Sequence, residues 1–383
     1  MKSKRDQENQ PLTFASPTFG TSLERSPKMA LPHKEEKIAK PRLRLWLKRA
    51  FLSISVLILI TATVFGWQFY STASKLTNEH NPFSLLSSLW PQTPAETSGR
   101  VNILLVGYSA DDPNHQGAQL TDSIMIVSIN PKTKSGSIIS IPRDLWVDIP
   151  GFGYSKINAA YEYGYSEGFN QAGYFPKGMG LLEKVITQNL GVKFNYFALI
   201  DYSAIRDGVN AVGGITINVN SADPRGVYDP YTNIKLPNGN VELNGQMALN
   251  LARTRGDGPG SYGIPNADFT RTQYQQKELV ALKDKASKLS SIFNPLTVLH
   301  LEGAVGSNVV TNLKLGQMES LYKDVKGISN NSIKQVTLND YKGQNLLENY
   351  YDYSSGQDAL IPTAGMNDFS NIQAALQQML YAN

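Results

Sequence analysis

Cysteine is absent from this 383-residue chain. That excludes disulfides, thiolate metal sites and cysteine nucleophiles, and it fits either side of a membrane. A strong overall charge is also missing. The formal net charge is +4, and residues 1–49 alone carry 12 Lys or Arg against five acids, which leaves the remainder close to balance. The basic balance therefore says little about nucleic acid. Residues 1–40 have few large apolar residues and no periodicity, the pattern of a disordered tail. Charge is missing altogether from 50–70, AFLSISVLILITATVFGWQFY, a run of 21 residues.

A run of that length crosses a bilayer as a helix, with Trp67 and Tyr70 as interface anchors. Arg42, Arg44, Lys48 and Arg49 stand just before it, so the positive-inside rule puts the N-terminus in the cytoplasm and the rest of the chain outside. The run begins late and no small-x-small site follows it, which favours an uncleaved anchor over a signal peptide. The expected layout is a basic cytoplasmic tail over 1–49, the anchor over 50–70, a linker over 71–100 and one extracytoplasmic domain over 101–383.

Within that domain, VNILLVG reads as a buried strand, and DSIMIVSIN with GSIISIPRD as a hairpin closed by PKTKSG. Helical spacing marks 155–165 and 177–190. The stretch from Tyr196 reads as strand, helix and strand, with Gly213 and Gly214 ending the helix. Further helical segments are expected near 316–325 and 368–380. With no internal repeat, this alternation predicts a single three-layer α/β domain, a central mixed sheet with helices on both faces, preceded by one transmembrane helix.

The chain is organised around 249–276, LNLARTRGDGPGSYGIPNADFTRTQYQQ. A short helix from Gly245 ends before Gly256, and a longer one runs towards Lys288 with Asp268 as its expected N-cap. Arg253 and Arg255 point to one side only where the chain is extended. Arg271, in the next helix's first turn, adds free N–H groups and the helix dipole. Converging guanidiniums suit phosphate because each can hold two oxygens. The same arginines could instead be solvated or paired with Asp257 and Asp268.

The ordered series NILLVG, TDSIMIVSINP, SIPRD, KINAAY, VGGI, LNGQMALNLARTR and DFTRTQYQQ resembles the LytR-CpsA-Psr family of bacterial envelope proteins, closely over about 100–290. The resemblance implies a phosphotransferase that moves a glycopolymer from a polyprenyl pyrophosphate carrier to a peptidoglycan hydroxyl. It implies Mg2+ on the pyrophosphate and an apolar pocket for the prenyl chain between sheet and helices. By position, the pyrophosphate arginines are Arg143, Arg253, Arg255 and Arg271, and Asp122 is a metal ligand. Lys156, Asn158 and Gln275 match positions near the site, although Lys156 and Asn158 could equally open and cap a helix. Gln275 and Gln276 face different sides of a helix, so at most one reaches the site.

The chain also departs from the family pattern. Ser109 stands where an aspartate is usual, Asp111 where an arginine is usual, and Leu120 and Tyr274 replace two further arginines. Asp111 or Asp112 becomes the candidate second carboxylate, with His115 a weaker one because Mg2+ prefers oxygen. Three functions follow: the membrane-anchored transferase, a polyprenyl pyrophosphate hydrolase, and a non-catalytic lipid-phosphate binder or regulator. No nucleic-acid partner is expected, since the folded domain lies outside and the basic cluster is juxtamembrane.

Overall fold

The computed structural model describes residues 92–109, 120–288 and 308–381. The anchor stretch 50–70 and the loop with Asp111, Asp112 and His115 lie outside the described residues.

Apolar runs bounded by turns build the central sheet. It holds β1 (Val101–Tyr108), β2 (Thr121–Asn130), β3 (Ser135–Ile141), β6 (Tyr196–Asp201), β11 (Val309–Thr311) and β12 (Ile333–Thr337), in the order β11-β6-β1-β2-β3-β12. The sheet is mixed. β1–β2, β2–β3 and β11–β6 are antiparallel, whereas β1–β6 and β3–β12 are parallel. Smaller hairpins join β4 (Trp146–Ile149) to β5 (Gly153–Lys156), β8 (Val227–Asp229) to β9 (Ile234–Leu236), β13 (Asp340–Tyr341) to β14 (Gln344–Asn345) and β15 (Leu347–Asp352) to β16 (Gln357–Pro362). β7 (Ile215–Val219) pairs with β10 (Gly239–Leu243).

Side chains alternate across a strand, so the two faces of this sheet can be read separately. Leu104, Val106, Ile124, Ile126 and Ile139 are sealed on one face. They share a core with α1 (Ala159–Ser166), α2 (Lys177–Leu190) and the C-terminal helix α7 (Ser370–Tyr381). The other face meets α5 (Ala267–Lys288) and α6 (Leu315–Lys326). Gln275 reaches Ser123 and Gln276 reaches Ser140 from α5, while Leu321 of α6 packs with Val101 and Ile129. A separate cluster unites the β7–β10 pair, β8–β9, α3 (Tyr202–Ala211) and α4 (Gly245–Arg253) around Val219, Val227, Ala248 and Leu251.

The strand, helix and strand from Tyr196 form as expected, with Gly213 and Gly214 at φ +76° and +88° after α3, where a side chain would be strained. One expectation needs correcting. The stretch 155–165 is not helical throughout, because Ser155 and Lys156 pair with Val147 and Trp146 as strand, and the helix starts at Ala159. Residues 92–100, at the end of the expected linker, pack on the domain. Buried Arg100 donates from Nε to Ser128 Oγ at 2.7 Å.

Candidate functional site

Three chain reversals meet at one end of the sheet. Pro142 ends β3 and releases Arg143, whose carbonyl accepts from Asn158 N–H at 3.3 Å. The Asn158 carbonyl in turn accepts from the N–H and Oγ1 of Thr121, at 3.3 and 3.2 Å. This pins the start of β2, and with it Asp122. The Asn158 side chain makes no cap hydrogen bond to α1, so its backbone does the positioning.

The third reversal is the arginine stretch. α4 ends at Arg253, and Thr254 is extended at φ −67°, ψ 123°, the unwinding that two arginines sharing a side require. Thr254 is buried, with Oγ1 2.7 Å from Thr232 Oγ1. The turn is held by Asp229, whose Oδ2 accepts the N–H groups of Arg255 at 3.2 Å and Gly256 at 2.9 Å. Gly256 sits at φ +77°, and a Cβ there would meet Ile264 at 2.9 Å. The fold therefore fixes the backbone here and leaves the Arg255 side chain to point elsewhere.

It points to Asp268. Around this carboxylate stand Arg143 (Nε to Oδ2, 2.8 Å), Arg255 (Nε to Oδ1, 2.9 Å) and Arg271 (Nη1 to Oδ1, 3.3 Å). Asp268 lies inside the first turn of α5 as the hub of the cluster, and it is not the N-cap expected from sequence. Asp122 joins through a short ion pair with Arg143, and its carbonyl accepts from Arg271 Nη2 at 2.8 Å. Asp144 lies 3.7 Å from Arg143 Nε and pairs with Lys156 at 2.7 Å, while Asp257 is 3.6 Å from Arg255.

The pairing with Asp257 and Asp268 that sequence offered as an alternative is thus present, but it does not use up the donors. Arg271 Nε is buried and donates no hydrogen bond to a described residue, while Arg255 Nε, also buried, is held 2.9 Å from Asp268 Oδ1 as an ion pair without hydrogen-bond geometry. A buried N–H without a hydrogen bond is costly, so Arg271 keeps one donor available to an anion.

The electrostatics follow from the packing. Burial works against the charge of Arg143, but Asp268, Asp122 and Asp144 overcome it and raise its pKa above the usual value. Burial also opposes ionisation of Asp268, yet Arg271, Arg143 and Arg255 hold its carboxyl below the usual range. Asp268 is therefore a poor proton acceptor near neutral pH.

Arg253, the last residue of α4, has its guanidinium 5.5 Å from the ring centroid of Tyr202. Gln275 links this corner to the sheet. It accepts from Ser123 Oγ at 2.9 Å and donates to the Ala252 carbonyl at 2.8 Å and Tyr202 Oη at 3.3 Å. Gln276 turns away to Ser140 and Val336, so one glutamine of the two reaches the site. Tyr274, where an arginine was usual, is buried in the β7–β10 cluster, and Leu120 packs against the main core.

Below the arginines the second face of the sheet is incompletely covered among the described residues. Ile103, Leu105, Val127, Ala198 and Ile200 are only partly buried, while their neighbours on the other face are sealed. Leu105 stands beside Ala198, and Gly107 beside Ile200 and Ser123. These partly exposed apolar residues form a strip along β1, β2 and β6, beside buried Met125, that reaches Ser123 where Gln275 bonds it.

No three metal-ligating side chains gather among the described residues. Mg2+ bound to a diphosphate needs only one or two carboxylates, with phosphate oxygens and water completing the octahedron, and Asp122 at the cluster's edge has that chemistry. Sequence reasoning missed Asp229, Tyr202 and Ser123. The aspartate-proline pair at 229–230 signals a turn, but nothing local shows that its carboxylate anchors a distant arginine loop.

Comparison with known proteins bears on the family and the fold. A model of the LytR_cpsA_psr family matches residues 63–363. The chain is 29% identical over 337 residues to the polyisoprenyl-teichoic acid–peptidoglycan teichoic acid transferase TagU of Bacillus cereus, covering 87% of this chain and 96% of that protein. It is 30% identical over 258 residues to the regulatory protein MsrR of Staphylococcus aureus, covering 64% and 70%. Among solved structures, TagT bound to LIIa-WTA aligns with a TM-score of 0.54 at 24% identity, over 75% of this chain and 94% of that one. TagT with bound octaprenyl pyrophosphate lipid aligns with a TM-score of 0.51 at 22% identity, over 75% and 93%. At such identities the structures speak for the fold, a central mixed sheet with helices. With the family match spanning most of its length, the chain belongs to the LytR_cpsA_psr family.

Proposed function

We propose that this chain is a phosphotransferase that moves a glycopolymer from a polyprenyl pyrophosphate carrier to a hydroxyl of peptidoglycan. The observation that carries the reading is the three-guanidinium hub around Asp268, with the buried Arg271 Nε left unbonded, beside a strip of partly exposed apolar residues on β1, β2 and β6. A prenyl pyrophosphate has that shape, a charged head on a long apolar chain. The related TagU is named for this transfer between polyisoprenyl-linked teichoic acid and peptidoglycan.

In the reaction, the acceptor hydroxyl oxygen bonds to the sugar-bearing phosphorus while the anhydride P–O bond breaks. Polyprenyl phosphate leaves with the electron pair, and the hydroxyl proton is released. Charge grows on phosphoryl oxygens and the leaving phosphate, so positioned cations do most of the work. Arg143, Arg255 and Arg271 hold the two phosphates, Asp268 holds the three guanidiniums at fixed angles, and Asp229 fixes the loop that presents Arg255. Arg253 and Gln275 form the adjoining wall through Tyr202 and Ser123, and Lys156 keeps Asp144 occupied.

Among the described residues Arg143, Arg255, Arg271 and Lys156 pair with Asp122, Asp144, Asp257 and Asp268, so four positive charges meet four negative ones. A dianionic diphosphate calls for a further cation, which favours Mg2+ with Asp122 as one ligand. The metal would supply charge neutralisation on the phosphates. Asp111 and Asp112 remain the candidates for a second carboxylate. In this reading residues 50–70 anchor the chain in the cell membrane in a single pass, with the N-terminus cytoplasmic and the domain at the outer surface.

The pairing of Asp122 with Arg143 favours one alternative, a protein that binds the carrier without cutting it. Full-length chain incubated with a polyprenyl pyrophosphate-linked sugar and a peptidoglycan oligosaccharide, followed by mass spectrometry, separates the readings. Transfer predicts phosphosugar on the acceptor with Mg2+ and none after EDTA. Phosphosugar released only to water indicates hydrolysis, and tight binding without product indicates the binder.

A further inference from the structure

Six of the eight large hydrophobic side chains left exposed among the described residues lie on three neighbouring elements. Phe152 and Tyr154 are on the β4–β5 hairpin, Tyr165 is on α1, and Tyr351, Tyr353 and Met366 are on or just after the β15–β16 hairpin. Such clustering marks an interaction surface more than scattered exposure does. The extreme case is Tyr353, 90% exposed at the tip of the second hairpin, with Tyr351 at 44%.

This tip is a built structure. Asp352 Oδ2 accepts from Ser354 Oγ and Ser355 Oγ at 2.6 Å and from Ser355 N–H at 2.8 Å, and the Asp352 carbonyl accepts from Gly356 N–H at 2.8 Å. Tyr351 and Tyr353 stand edge to face, with centroids 5.0 Å apart at 81°. Behind them Tyr350 packs on Trp146 at 6.0 Å. The turn is thus fixed without either outer tyrosine being buried, and the rings are held ready for something outside the chain.

The hairpin's direction relates it to the site. β16 runs parallel to β4, with Leu360 beside Leu145, and Leu360 N–H donates to the Asp144 carbonyl at 2.9 Å. The residues before β16, which form the tip, therefore extend past Leu145 on the side from which Arg143 and Asp144 enter. The reach is roughly 13 Å for four extended residues. Charge narrows the occupant. Residues 347–363 contain Glu348, Asp352 and Asp358 and no Lys or Arg, so the tip repels phosphate and anionic lipid. What suits it is neutral, offers C–H faces to aromatic rings, and exchanges hydrogen bonds with Ser354, Ser355 and Gln357.

We propose that the Tyr351–Tyr353 tip is a carbohydrate shelf that takes neutral sugar rings of the acceptor glycan, on the Arg143 side of the β4–β5 and β15–β16 hairpins. The proposal rests on the transferase reading and adds to it where the acceptor lies. Tyr353 acts as a binding residue remote from the phosphorus, so its loss should raise acceptor KM and leave kcat unchanged.

The test uses full-length chain in detergent, uncharged glycan strands of N-acetylglucosamine, and a short-chain polyprenyl pyrophosphate titrated separately. Tyr353→Ala is expected to weaken strand binding about tenfold, the double Tyr351→Ala/Tyr353→Ala variant to abolish it, and Tyr353→Trp to restore it, with pyrophosphate affinity constant throughout. Equal strand affinity in the double variant overturns the shelf. So does tyrosine-dependent binding to anionic phospholipid vesicles in place of strands. Pyrophosphate binding by a wild-type chain that never binds strands also sinks the shelf alone. Tyrosine-dependent strand binding by a chain that ignores pyrophosphate leaves the shelf and sinks the transferase.

Discussion

The two faces of the central sheet are made from the same strands and do opposite things. Leu104 and Leu105 are adjacent in β1, yet Leu104 is fully buried beneath α2 and α7 while Leu105 is only partly covered. On the sealed face, apolar side chains find apolar partners and stabilise the fold. On the other, α5 brings Arg271 and Gln275 to the sheet, and Ile103, Leu105, Val127, Ala198 and Ile200 keep part of their surface open beside buried Val101, Met125 and Ile129. Stability and binding are thus separated by residue parity, and a substitution one position along should change which of them suffers.

The largest expected effect breaks the sealed face. Leu104→Ala should cost about 3–4 kcal/mol through lost burial and a cavity, seen as a lowered denaturation midpoint. Leu105→Ala should cost only about 1 kcal/mol in the same measurement while weakening prenyl pyrophosphate binding. Equal destabilisation by the two would remove the distinction between the faces.

Arg255→Ala sharpens the contrast from the other side. Removing a guanidinium gathered for an anion should weaken pyrophosphate binding on the order of a hundredfold. Its effect on the denaturation midpoint should stay within about 1 kcal/mol, because it is not a core residue. Unchanged lipid affinity in that variant would count heavily against the hub.

Two buried carboxyls extend the comparison. Glu183, on the sealed side in α2, accepts from Phe175 N–H at 2.7 Å, and burial pushes its pKa up to about 7. A carboxyl whose folded pKa is raised contributes stability that is present below its unfolded pKa and is lost as pH rises through the folded one. Stability should therefore decline between about pH 4.5 and 7, by roughly 1–3 kcal/mol from this group. Glu183→Gln, which can still accept that bond, should flatten the decline in denaturation curves taken across the window. Glu278 in α5 is buried with neither oxygen bonded to a described residue, and burial holds its pKa well above the usual range. Glu278→Leu should then raise stability by about 1 kcal/mol, a gain readable in the melting temperature.

Much of this was legible in the sequence because it was local. The β2–β3 hairpin, the α2 boundaries and the unwound ARTR follow from periodicity and turn chemistry. Which arginines meet was not local. Arg143, Arg255 and Arg271 converge because Asp268 lies between them, and Asp268 read as a helix cap or a partner for the arginines of its own stretch, with nothing to place Arg143 beside it. Asp229 was invisible for the same reason, since a buried carboxylate that binds backbone N–H groups 26 and 27 residues away has no pattern of its own. The strand at 155–156 was misread because short alternating segments fit either period until a partner strand decides.

The most direct measurement of the central claim is photo-crosslinking of full-length chain with a polyprenyl pyrophosphate carrying a diazirine in its prenyl chain, mapped by peptide mass spectrometry. Labels should fall on Ile103, Leu105, Val127, Ala198, Ile200 or α5, and should fade in Arg255→Ala. Labels on the sealed face or on surface residues remote from this strip of apolar residues, or labelling that ignores Arg255, would contradict it.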